Sequence, residues 1–125
     1  MSRRVLEQRQ RTTLYLDTDG DAPIVLKVLR DRAPSAADLA AFHNELTITR
    51  DLSLPGVRPG LRRERVDGLP AIALPWVPGE PLASWTVRRI DQVQEGLRIA
   101  AELAAILERV HGEGIIHGDV NPSNV

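Results

Sequence analysis

A chain of 125 residues is about one domain in length and can bury roughly two thirds of its unfolded surface. Its 42% hydrophobic and 26% charged residues describe a globular protein, and 16 basic against 17 acidic side chains leave a net charge of -1, which gives no basis for nucleic acid as a partner. The lack of cysteine excludes disulfides and thiolate chemistry; His43, His111 and His117 have no metal-ligand spacing, and no run approaches the roughly 18 apolar residues of a membrane span, so a cytoplasmic protein without a membrane partner is expected.

The first segments read as strands. Residues 5–8 and 12–16 are short and β-prone, and the turn cluster DTDGD at 17–21 leads into Ile24–Leu29, a run apolar on both faces except for Lys27. All the other basic residues of the chain are arginine. A lysine within a buried strand is costly unless an anion meets it. A helix follows: Ser35 is placed to cap it with Asp38 in its first turn, and Leu39, Phe42 and Leu46 recur at helical spacing. Glu45 flanks that stripe, where its carboxylate can reach toward the sheet.

Two more strands, 61–66 and 71–74, flank a turn at Asp67-Gly68-Leu69-Pro70, and the second runs into a Pro/Gly segment at 75–81 that reads as a linker. The strongest helical pattern spans 91–111, with Asp91 and Gln94 as possible caps. Its apolar stripe is Val93, Leu97, Ala100, Leu103, Ala104, Leu107 and Val110. Gly112 and Gly114 end it, and IIHGDVNPSNV closes the chain with His117, Asp119, Asn121 and Asn124 in one short turn.

Strand lysine, helix glutamate, hairpin, linker, apolar helix and HxDxxxxN, in that order, resemble the eukaryotic-type protein kinase domain from its N-terminal lobe through its catalytic loop. The resemblance implies an α+β fold of the protein-kinase type. Residues 1–77 would form a small antiparallel β-sheet lobe with one helix (αC in the family) and the hinge, and 78–125 the first helices of a helical lobe. It also implies ATP and Mg2+ as cofactors and a protein hydroxyl as acceptor. Lys27 would contact the α- and β-phosphates and be held by Glu45; Asp119 would be the catalytic base and Asn124 a magnesium ligand. Leu74 falls at the gatekeeper position, Pro75, Trp76 and Val77 on the adenine-binding hinge, and Val25 above the base.

FHNELTITRDLSLPGV, LRIAAELAAILERVHGEGIIH and the N-P-S-N ending look most like the kinase domain of large bacterial signalling proteins that fuse it to an ATPase module, a GAF domain and a histidine kinase. Further domains of that kind are expected partners. The family's next landmark, DFG, would fall after Val125, so the 125 residues are expected not to turn over alone.

Three departures stand out. Residues 7–12 contain no glycine where the family has its glycine-rich loop, Asn121 replaces a lysine that contacts the γ-phosphate, and Gly118 replaces the arginine before the aspartate. H-G-D followed by asparagine is also the pattern of aminoglycoside and choline phosphotransferases, a small-molecule alternative. The first two departures admit a pseudokinase acting as a binding module. The stretch after Glu45 and the N-P-S-N ending favour the protein kinase.

Overall fold

The computed structural model describes residues 2–50, 52–88, 91–117, 120 and 124–125. These form two units, Met1–Ser53 with Arg58–Val77, and Leu54–Val57 with Pro78–Val125.

The first unit is a five-stranded antiparallel sheet in the order β1-β2-β3-β5-β4, with one helix. Its strands are β1 (Arg3–Gln8), β2 (Thr12–Asp17), β3 (Ile24–Leu29), β4 (Arg62–Val66) and β5 (Leu69–Pro75), and helix α1 (Ala36–Arg50) lies between β3 and β4 in sequence. Strand β3 is apolar on both faces because both are buried. Leu26 and Val28 point to one side, where they join Val66, Ala71 and Ala73, and Leu29 points to the other, where it meets Ile72, Phe42 and Leu46. Phe42 and Leu46 thus seat α1 on the sheet, and its start is fixed by the Ser35 hydroxyl, which accepts the Asp38 N–H at 3.1 Å.

Strand β1 begins two residues before the apolar pattern. Arg3 pairs in register with Asp17 and its guanidinium holds the Asp17 carboxylate at 2.9 Å, so an ion pair extends the ladder where hydrophobicity does not. The turn of the β4–β5 hairpin is shorter than the sequence suggests. Only Asp67 and Gly68 lie outside the strands, both at positive φ (51° and 80°), the two-residue geometry whose twist matches paired strands. Pro70 therefore stands inside β5, tolerated because pairing with β3 runs only as far as Ala71.

The second unit contains α2 (Leu82–Arg88) and α3 (Val93–Gly112). Helix α2 falls directly after the expected linker and was not legible as an element. It is only seven residues long, started by Pro81, whose carbonyl accepts the Ser84 and Trp85 N–H groups. Neither Asp91 nor Gln94 caps α3: the N-cap is Gln92, and no side chain bonds there. The expected stripe also divides. Ile99, Leu103, Ile106 and Leu107 are half-buried and Val110 is buried, with Gly56 packed on Ile106, whereas Val93 and Leu97 are about two-thirds exposed (67% and 66%).

Candidate functional site

In the sheet register Lys27 lies opposite Leu14 on β2 and Ile72 on β5, and directly opposed residues share a face. Since Ile72 packs against α1, Lys27 is on the α1 side. Its Nζ donates to Glu45 Oε2 at 2.7 Å, joining residues 18 positions apart. The Lys27 side chain is 19% exposed and that of Glu45 39%, so the pair is partly screened by water and its Coulomb energy is modest. An ammonium has three donors. Glu45 takes one, and no other acceptor among the described residues meets the rest.

Glu45 is positioned through its backbone as well. The Thr49 hydroxyl donates to the Glu45 carbonyl at 2.7 Å and accepts the Gly60 N–H at 3.1 Å, which ties the chain entering β4 to the turn of α1 that carries the carboxylate. A Cβ on Gly60 would collide with the Leu46 side chain, so this approach needs glycine. Sequence reasoning missed Thr49 and Gly60. A threonine four residues after the glutamate is the only signal, and it reads as ordinary helix surface.

Beside the Lys27 row runs a second row on the same face, Leu16, Val25 and Leu74, in register across β2, β3 and β5. Val25 is buried and Leu74 half-buried, together with buried Leu16, which the sequence reading did not single out. Past β5, the Trp76 N–H donates to the Pro23 carbonyl at 3.3 Å; Trp76 is half-buried and Val77 is 57% exposed. The strand row thus places an apolar surface next to the half-buried cation.

Of the closing motif, Asp119 and Asn121 lie outside the described residues. Asn124 and His117 are exposed and belong to the second unit, where the adjacent Val125 carbonyl accepts the Leu82 N–H at 2.7 Å. Among the described residues no three His, Asp or Glu side chains gather as a metal site.

Several groups are electrostatically perturbed. Asp17 is held below the usual carboxylate range by the Asp19 N–H first and then by Arg3. Burial pushes His43 down, and Arg63 and Arg65 push it further. The guanidinium of Arg58, whose Nη1 lies 3.4 Å from the Pro75 carbonyl, is lowered by burial and by Arg9, with Glu45 opposing. Arg58 is exposed as a whole residue, so the desolvation concerns its charged end.

Residues 3–113 match the model of the phosphotransferase enzyme family. The DNA damage-responsive serine/threonine-protein kinase RqkA of Deinococcus radiodurans is 31% identical over 82% of this chain and 16% of its own length. The serine/threonine-protein kinase PkaB of Streptomyces coelicolor is 30% identical over 97% of the chain and 30% of its own. Among solved structures, the Mycobacterium tuberculosis PknI kinase domain superposes with a TM-score of 0.75 at 28% identity, covering 98% of this chain and 52% of that one. The chain therefore spans about half of the kinase domain it matches and less than a third of the curated relatives.

Proposed function

Because the chain belongs to the phosphotransferase enzyme family, we propose that it is the nucleotide-binding part of an ATP-dependent serine/threonine protein kinase domain of bacterial signal transduction. The pairing of Lys27 with Glu45 carries this reading. A half-buried ammonium with two donors unmet among the described residues, beside an apolar row, suits the phosphates and the base of one nucleotide. Lysine suits the place better than arginine, since a compact ammonium fits between a carboxylate and phosphate oxygens where a planar fork does not. Val25, Leu74, Trp76 and Val77 would hold the base, with Leu16 completing the wall.

Transfer moves the γ-phosphoryl group from ADP's terminal oxygen to an acceptor hydroxyl: the new P–O bond forms as the bridging P–O bond breaks, and the hydroxyl proton leaves. Asp119 would accept that proton, a contribution on the order of 10² to 10⁴ in rate. Asn124 would offer an amide oxygen, a hard donor suited to Mg2+, and the ion would supply neutralisation of phosphoryl charge. Glu45 and Thr49 would keep Lys27 aimed at the phosphates.

A second reading has its own support. The H-G-D sequence and the phosphotransferase family match are shared with enzymes that phosphorylate small molecules, which would give a small-molecule kinase on the same site. Transfer of labelled γ-phosphate by the intact parent protein to a generic protein substrate, set beside transfer to an aminoglycoside, separates the two. Label on the protein, abolished by Asp119→Asn with ATP binding retained, supports the protein kinase. Label on the aminoglycoside alone overturns it.

A further inference from the structure

We propose that Arg9, carried by the β1–β2 turn, is a second phosphate-binding cation of the Lys27 site, taking the part that glycine amides would play in a loop the sequence does not have. The proposal rests on the nucleotide reading above. Its geometry comes from the sheet register. Glu7 lies opposite Leu14, and Leu14 lies opposite Lys27, so Glu7 and Lys27 stand in one row on one face. Two strand spacings separate their backbones, about 10 Å. Arg9 Nη2 donates to Glu7 Oε2 at 3.1 Å, which turns the guanidinium onto the Lys27 face.

The turn that presents Arg9 is fixed on three sides. The Arg9 N–H donates to the Thr12 carbonyl at 2.8 Å, Arg30 Nη1 donates to the Arg9 carbonyl at 2.8 Å, and the Arg30 N–H donates to the Arg11 carbonyl at 2.9 Å. Such a turn holds its tip without glycine. The Arg9 side chain is 33% exposed, open to an incoming ligand, and Glu7 at 46% is an exposed partner that a phosphate can replace. Arg58 senses Arg9 and Glu45 together, consistent with these charges converging on one region. Two cations directed to one face, one an ammonium and one a planar fork, fit a chain of phosphates rather than a single carboxylate. The ligand class is a nucleoside di- or triphosphate.

Calorimetric titration with magnesium-ATP, ADP and adenosine tests this on the unsubstituted protein and on Arg9→Gln, Arg9→Lys and Lys27→Met. Arg9→Gln should weaken ATP and ADP by roughly tenfold or more, as loss of a charge-assisted hydrogen bond does, and leave adenosine unchanged. Arg9→Lys should fall between, and the salt dependence of ATP binding should flatten in Arg9→Gln. ATP binding unaltered in Arg9→Gln but lost in Lys27→Met would overturn the role of Arg9 while leaving the nucleotide reading intact. An unsubstituted protein that binds no ATP would overturn both.

Discussion

The Thr49 hydroxyl holds the Gly60 N–H at 3.1 Å while donating to the Glu45 carbonyl, so the loop into β4 and the turn of α1 that carries Glu45 share one hydrogen-bonded junction. Thr49→Val keeps the shape and removes the hydroxyl, leaving the Gly60 N–H without its acceptor in a buried position. The expected cost is about 1–3 kcal/mol in chemical denaturation. Gly60→Ala should cost a similar ~1–3 kcal/mol by driving a methyl group into Leu46. A neutral Gly60→Ala would show that the junction is looser than described.

Lys27→Met separates stability from function. The ammonium is 19% exposed and its partner 39%, so the pair contributes little net energy and an apolar side chain of similar length suits the strand. Unfolding free energy should change by less than about 1 kcal/mol while ATP affinity falls by roughly tenfold or more. Circular dichroism melts beside ATP titrations check this, and a large stability loss would mean that Lys27 serves the fold.

His43 should make the fold acid-sensitive. It lies on α1 beside Leu39 and faces Arg63, Glu64, Arg65 and Pro70, and burial together with the arginine charges depresses its pKa. An unfolded histidine titrates near 6.5, so this part of the stability is complete above that pH and is lost as pH falls through the lower folded value. Melting temperatures between about pH 7 and 5 should fall less steeply in His43→Gln than in the unsubstituted protein. Equal slopes would contradict the assignment.

Gly96 sits in the first turns of α3 with open space around its Cα. Gly96→Ala should therefore stabilise the protein by about 0.5–1 kcal/mol, because only backbone entropy changes. A destabilised variant in thermal melts would show that the position is packed.

What the sequence disclosed depended on how far each signal reaches along the chain. Lys27 is conspicuous because a charge interrupts an apolar strand, and Glu45 because it flanks a helical stripe; the ordered series of elements gave the fold. Leu16, Thr49 and Gly60 were hidden because their roles exist only across the register of β2 with β3 or at the approach of a loop to α1. Helix α2 is too short to show a period, and the strand start at Arg3 depends on an ion pair with Asp17, fourteen residues away. In α3, Ile99 and Ile106 turn inward although the simple stripe omits them, since the helix is apolar around more than one face.

The central claim is that the Lys27–Glu45 pair exists to receive phosphate. A double-substitution cycle on magnesium-ATP affinity, using Lys27→Met, Glu45→Gln and both together, addresses it most directly. Strongly non-additive losses, with Glu45→Gln weakening ATP only while Lys27 is present, are predicted. Additive effects, or full ATP affinity in Lys27→Met, would contradict the account.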